Sequence, residues 1–597
     1  LEGQSKPTPA RHLVTSALPC VDGAEHPGNL AGSLLPADVY ARFLRARGES
    51  VLFVCATDEH GTPAELAAAE AGLEVAEYCR RRHLAQARLA EELGLSFDVF
   101  GRSSSPRSRE QTRYFAQRLD EEGFLEARSM RQVFSPEDGR FLSDRCIVGT
   151  CPHCDCDHAR GDRCEGCGRL LDPTRLVDAR SAISGSRNLE ARDSRHLFLL
   201  QSKLAAELRA WLGQQVDWPA PARSIGLDEG LEDRSITRDL SWGAPVDRMG
   251  FEDKVYCAWF DAPVAYIGAT REWADARGEP GAWRTWWRGS EDVRYVQFVA
   301  RDGVPFHAVG FPCTLLGSGE GWKFVDFLKA FDRLTYYGGK FSAGRGGGGF
   351  MAQALELLPA DCWRYHLLAN APETGDADFS WETFAAAVNE DLAGFGDFVN
   401  RSLTFAELHF DGEVPSAGEP GPVELELLRD LDRRLSAYAG RIEALEFRAA
   451  IAELRAIWGC GNAYFDRKRP WEAVAGDRSD AALTVRFCVN LVCLFSRLAA
   501  PVIPFTAKRV LDALAVPEPS RCWPSRFRAE ELPPGHRFSV PPELFRRIGE
   551  DDVERWRARF GDAESVDHEA GLDVVEAQAP GRDAREYRGE EKQHHQG

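Results

Sequence analysis

The feature that most constrains this chain is a strand, a glycine-bearing loop, a helix and a second strand close to its start. His12-Leu13-Val14 is a short β-like run, and Thr15 to Leu30 forms the loop after it. An amphipathic helix follows from Leu34 to Arg47, then a second apolar strand, Val51-Leu52-Phe53-Val54-Cys55. Strands joined through a helix lie parallel, and such a unit opens a nucleotide-binding α/β domain. The loop places His26, Gly28 and Asn29 where the helix begins. Free N–H groups and the positive dipole end of a helix suit a phosphate there. Gly28 lets a flat base approach the backbone closely.

The chain has 597 residues, room for about three or four domains at roughly 150 residues each. Its hydrophobic content of 44% supports large cores. No apolar run approaches the roughly 18–20 residues that span a bilayer. The start, Leu1 to Lys6, is polar and unlike a signal peptide, and it lacks a methionine, as a fragment or processed piece would. A cytoplasmic protein without a membrane partner is the expectation. The net charge of −20 argues against a globally basic coat for nucleic acid but leaves room for a local basic surface. Nine lysines stand against 64 arginines, so a lysine in a special place is informative. Of 16 cysteines, four cluster, while Cys55, Cys313, Cys488 and Cys493 sit singly in apolar stretches. That pattern reads as reduced core thiols plus one metal site.

In chain order, Thr57-Asp58-Glu59-His60-Gly61 closes the second strand, where an open parallel sheet binds ligands. Asp58 there either meets an ammonium group or caps the helix that starts at Pro63. Past Ser129 the strands shorten. Cys151-Pro152-His153-Cys154, then nine residues, then Cys164-Glu165-Gly166-Cys167 supply four thiolates able to close a tetrahedron around Zn²⁺. Cys156, His153 and His158 are close enough to substitute. The α/β pattern returns with Val255 to Pro263, the strand Tyr295 to Val299, and Arg301-Asp302. A glycine-rich loop carrying Lys340, Ser342 and Arg345 suits a polyphosphate clamp. From Trp381 to Ala515 the period is helical, with bundle-length segments at Val423–Leu445, Phe447–Ala463 and Ala481–Ala500. Tyr464 to Trp471 combines basic and aromatic residues that could hold a splayed-out nucleotide.

Together these motifs resemble a class I aminoacyl-tRNA synthetase, specifically the methionyl-tRNA synthetase family, over roughly residues 11–560. His26-Pro27-Gly28-Asn29 stands at the family's His-x-Gly-His signature, and Lys340-Phe341-Ser342-Ala343-Gly344 at its Lys-Met-Ser-Lys-Ser loop. Thr57 to Gly61, Trp259-Phe260-Asp261-Ala262-Pro263 and the cysteine knuckles fall in the family's order. The resemblance implies a Rossmann-type α/β catalytic domain at 11–128 and 251–325, split by a zinc-bearing insertion at 129–250. A lysine–serine loop and linker at 326–380, a helical anticodon-binding-type domain at 381–560 and a polar tail at 561–597 complete it. It implies ATP with Mg²⁺, structural Zn²⁺ on Cys151, Cys154, Cys164 and Cys167, an amino acid, and tRNA. His26, Asn29 and Lys340 would be catalytic. Gly28, Arg301, Asp302 and Ser342 would join them on ATP. Asp58 would bind the substrate ammonium, with Leu18, Cys20, Trp259, Ala262, Pro263, Tyr266, His307 and Phe311 at the methionine pocket. Asn400 and Trp471 would read the anticodon. A monomer is one reading of the oligomeric state, which is left open.

Some positions depart from the family. Cys20 stands for a pocket tyrosine, Phe311 for a tryptophan, Arg301 for a lysine and Thr404 for an anticodon-reading arginine. Gly346–Gly349 replaces a more basic run, and a few residues are missing before Asp228. Two enzyme readings therefore stand: a methionine–tRNA ligase, or a paralogue that hands its adenylate to a small molecule without tRNA, as in hydrazine formation. A degenerate binding protein is the third.

Overall fold

The computed structural model describes residues 11–23, 25–143, 146–161, 164, 171, 173–218, 231–289, 291–340 and 351–560, with Lys340 as backbone alone. Ser342, Ala343, Gly344, Cys167, Asp228 and the tail 561–597 lie outside the described residues.

The opening unit is as expected: β1 (Arg11–Ser16), α1 (Leu35–Ala46) and β2 (Ser50–Thr57). β3 (Val99–Arg102) and α2 (Pro106–Glu121) follow. The chain then leaves the domain along β4 (Leu125–Ser135), which pairs antiparallel with β5 (Glu190–Leu199) from Leu125↔Leu199 to Phe134↔Glu190. Beyond this ribbon, Ile147–Thr150 pairs with Ala159–Arg160 and Val177–Ser181 around the cysteines. The chain returns through α3 (Ala265–Ala276), α4 (Arg284–Trp287), β6 (Val293–Ala300) and β7 (Phe327–Phe331). The five-stranded parallel sheet has the order β7-β6-β1-β2-β3.

Both faces of this sheet are covered, so its strands are near-continuous apolar runs rather than alternating ones. Val14, Phe53, Cys55, Val296 and Phe298 face α1 and the helical domain in one core. Leu13, Leu52, Val54, Tyr295 and Leu328 face α2 and α3 in the other.

Two strands bear on the expected limits. β4 runs across the limit at 128 and pairs with β5 in the insertion. The limit at 325 falls before β7, whose register Val296↔Phe327 adds a fifth parallel strand to the catalytic sheet. Neither pairing partner is local in sequence, so no local pattern marks the limit.

α5 (Ala360–Ala369), within the expected linker at 326–380, packs against the helical domain, which contains α6 (Ala393–His409), α7 (Pro422–Glu443), α8 (Phe447–Lys468) and α9 (Arg478–Ala499). α9 corrects one expectation. It is long and apolar enough to cross a membrane, yet the whole apolar stretch is buried inside the protein. A helix surrounded on all sides is apolar on all sides.

The two domains are tied by a buried ion pair. Arg364 on α5 donates to Asp38 on α1 at 2.6 Å, and both side chains are fully buried. The same guanidinium donates to the carbonyls of Leu93, Pro501 and Val502. Burial opposes ionisation of Asp38, but Arg42 and Arg364 outweigh it and hold the carboxyl below its ordinary value. Removing one partner strands the other charge. Asp38→Ala is expected to destabilise the chain by about 3–5 kcal/mol, read from urea unfolding. The contribution of Asp38 is present above about pH 4, its unfolded value, and is lost as pH falls through the depressed folded value.

Candidate active site

The parallel strands end at a cavity of about 460 Å³. Leu18, His26, Gly28, Asn29 and Asp302 line it, together with Gly32, Asp332, Arg333 and Thr335. His26 caps the helix start: its Nδ1 accepts the Gly28 amide at 3.1 Å, and Asn29 Oδ1 accepts the His26 amide at 3.2 Å. Pro27 at the first helical position has no N–H to lose. A short helix Pro27–Asn29 and a wide turn Leu30–Leu34 lead into α1.

This cap fixes the chemistry of both side chains. A ring nitrogen that accepts carries no proton, so the hydrogen of neutral His26 sits on Nε2. Burial pushes His26 down to about 4, so the ring is neutral near pH 7. Asn29 uses its oxygen in the cap, which leaves its amide hydrogens to donate outward. Gly28 is required by close approach, since a Cβ there would lie 3.0 Å from the His26 ring. Glu25, which sequence reasoning missed, is buried beside this loop and pushed up to about 7 by burial. Its carbonyl accepts the Met351 amide at 3.0 Å.

Arg301 stands at the rim, two-thirds exposed, and donates to Asp332 at 3.2 Å. Asp302 lies 3.7 Å from Arg333. Asp332, Arg333 and Thr335 carry no motif. The only signal for them was position, at the C-terminal end of a parallel strand.

On the amino-acid side, Cys20 and Asp58 form an isolated parallel bridge beyond the ends of β1 and β2. Cys20 is exposed. Asp58 Oδ1 is enclosed and has no hydrogen-bond partner. Burial raises Asp58 well above its ordinary value, and Asp261 and Asp22 add to this. The helix-cap reading of Asp58 does not hold, because Gly61 is the cap of the next helix and receives no side-chain bond. Asp261 is itself buried and hydrogen-bonded to His60 Nδ1.

The pocket wall assembles from distant segments. Leu18, Trp259, Tyr266 and Phe311 share one core cluster, with Ala262 and Pro263 on the turn between Asp261 and Val264. Tyr266 donates to the Ser16 carbonyl at 2.9 Å, and its ring lies 5.9 Å from His307. Burial pushes His307 down to about 4, and its Nδ1 has no partner. The Trp259 ring is held by Ser235 and lies against Gly310, next to Phe311.

Elsewhere, one sulfur each from Cys151, Cys154 and Cys164 fall within 4.8 Å of one another, an arrangement that can hold a metal. In the bundle, Asn400 is exposed on α6 and accepts from Thr404 at 3.2 Å. Trp471 is 44% exposed, with its ring 5.8 Å from Phe465. Arg401 lies over Phe465 at 4.7 Å, so Arg401 and Trp471 both contact the Phe465 ring. A larger groove of about 750 Å³ lies between α7 and α8, but Arg433, Arg434 and Arg467 on its lining are spent on Asp430 and Glu426.

A family model described as tRNA synthetases class I (M) matches residues 12–403, and one described as the anticodon binding domain of methionyl tRNA ligase matches 414–565. The chain belongs to the methionyl-tRNA synthetase family. Methionine–tRNA ligase of Caulobacter sp. (strain K31) is 53% identical over 570 residues, covering 93% of this chain and 100% of the relative. That of Streptomyces avermitilis is 52% identical over 571 residues, with the same coverage. A crystal structure of Mycobacterium tuberculosis methionyl-tRNA synthetase bound by methionyl-adenylate is similar at a TM-score of 0.73 and 25% identity, over 90% of this chain and 100% of that one. The α/β catalytic domain and helical domain of this methionyl-tRNA synthetase family member thus match known relatives over nearly their whole length.

Two outcomes are expected. Gly28→Ala pushes the His26 ring aside and lowers the ATP–pyrophosphate exchange rate by up to about 100-fold, with the methionine KM unchanged. An ammonium needs an ionised partner, and Asp58 ionises only above its raised value. Methionine should therefore bind tighter as pH rises through that value, measured by calorimetry, and Asp58→Asn should flatten the dependence.

Proposed function

We propose that this chain is a methionine–tRNA ligase that activates methionine with ATP in the cavity beside His26 and passes it to tRNA. One observation carries the reading: a catalytic match and an anticodon-domain match share one chain whose cavity holds the His26–Gly28–Asn29 cap at the ends of parallel strands. The paralogue reading, with transfer to a small molecule, is not favoured, since relatives at about half identity cover the chain from end to end of their own length.

In this reading the methionine carboxylate attacks the α-phosphorus of ATP and pyrophosphate leaves. A terminal ribose hydroxyl of tRNA then takes the acyl group and AMP leaves. Positioning and charge stabilisation supply the rate. His26 Nε2–H and the Asn29 amide donate to phosphate oxygens as charge builds on the α-phosphate. Gly28 admits the adenine. Arg301 and Asp302 hold ATP from the rim, Lys340 neutralises the departing pyrophosphate, and Ser342 assists it. Mg²⁺ accompanies the nucleotide. Asp58 takes the ammonium, and Leu18, Cys20, Trp259, Ala262, Pro263, Tyr266, His307 and Phe311 enclose the side chain.

Cys151, Cys154, Cys164 and Cys167 are proposed to hold Zn²⁺. The donor set fits, because three sulfurs already converge and thiolates are the preferred ligands of structural zinc. Asn400 and Trp471 meet the anticodon, with Phe465 behind the Trp471 ring. The place of work is the cytoplasm, where the tRNA partner is used.

The test is ATP–pyrophosphate exchange across all amino acids, followed by aminoacylation. Exchange with methionine and charging of methionine-accepting tRNA supports the reading. Exchange with another amino acid, without charging, overturns it. Trp471→Ala should weaken tRNA binding by about 1–3 kcal/mol and leave exchange unchanged, which separates the two ends of the molecule.

A further inference from the structure

A second pocket, of about 450 Å³, opens on the outer side of the catalytic domain between α2, α3 and α4. It shares no lining residue with the cavity beside His26. Four arginines reach it: Arg113 from α2, Arg271 from α3, and Arg284 and Arg288 from α4 and its end. Two are committed elsewhere. Arg271 donates to Glu110 at 2.9 Å and Gln111 at 3.0 Å. Arg288 donates to Glu320 at 2.6 Å and Tyr114 at 2.9 Å.

The other donors have no acceptor among the described residues. Arg113 forms no side-chain hydrogen bond, and its Nε is buried. Arg284 makes no ion pair and lies over the Trp283 ring at 4.7 Å. Gln111 is 2% exposed, and its Nε2 has no partner. Its orientation is fixed by chemistry. Arg271 has no acceptor atom, so the Gln111 atom facing it must be the oxygen, and the unpartnered atom must be the amide nitrogen. A buried amide donor and a buried guanidinium Nε, both without a partner, and a second guanidinium thus belong to side chains that line one pocket. The acidic residues on the lining are Glu110, which already serves Arg107 and Arg271, and the exposed Asp247.

We propose that this pocket binds a small phosphate-bearing anion. Donors from two guanidinium groups and an amide, two on α2 and one on α4, suit a tetrahedral oxyanion better than a flat carboxylate, which one arginine fork satisfies alone. The volume leaves room beside the phosphate, and the Trp283 and Tyr114 rings provide a wall for a base. In a chain of net charge −20 the attraction is local to the pocket.

The test is calorimetric titration of the full chain with its catalytic cavity filled by a non-hydrolysable methionyl-adenylate analogue. The probes are inorganic phosphate, inorganic pyrophosphate and AMP. One saturable site per chain is expected for at least one probe, weakened at least about tenfold in Arg113→Gln and in Arg284→Gln. Gln111→Leu, which leaves the charge unchanged, should weaken it too. Arg284 is exposed, so its variant tests the site without disturbing the core. AMP binding more tightly than pyrophosphate identifies a nucleotide as the ligand, and the reverse order identifies a polyphosphate. No saturable binding of any probe at millimolar concentration overturns the proposal. So does binding that survives all three substitutions, because the anion then sits elsewhere.

Discussion

The Arg364 guanidinium is the point through which the two large parts of this molecule are joined. From α5 it reaches to Asp38 and Leu93 in the catalytic domain and to Pro501 and Val502 at the end of α9. A fully buried charge is tolerable only when its donors are matched, and here a carboxylate and three carbonyls do so. The pair is a poor source of net stability but a strict specification of geometry. No other docking of α1 against α5 would satisfy it. Aromatic contacts then fill in around it, with Phe43 against Trp523 and Phe298 against Phe447. The catalytic and helical parts are therefore held together by a polar lock inside an apolar seam.

Within the catalytic domain, the helix cap at His26 does double service. The hydrogen bonds that begin the helix also fix the tautomer of His26 and the orientation of the Asn29 amide. Local folding and chemistry cannot be separated at this position. A change to either residue alters the helix start as well as the donor set.

Much of this was legible in the sequence, for identifiable reasons. β2 is a continuous apolar run from Val51 to Ala56, and its burial on both faces makes such a run diagnostic. The cysteine knuckles declare themselves by spacing, and three of their sulfurs do converge. The expected helices of the bundle agree with α7, α8 and α9 to within a few residues, because each carries a stripe or a full coat of apolar residues. What was not legible depends on contacts between distant segments. β4 and β7 pair with partners far along the chain. Asp332 and Arg333 join the cavity by strand position alone, and the His60–Asp261 bond links two motifs that gave no hint of touching. The exposure of Cys20 beside Asp58 is likewise a product of the sheet, not of its neighbours in sequence.

The opposite shifts of Asp58 and His26 have a common meaning. Burial disfavours the negative form of one and the positive form of the other. Both groups therefore tend toward neutrality before any substrate arrives. Fixed charge in the cleft is confined to Asp302, Asp332 and Arg333, on the side away from Asp58. The substrate that binds beside Asp58 therefore meets a carboxyl whose charge depends on what arrives, so one substrate helps to create the field that the next one meets.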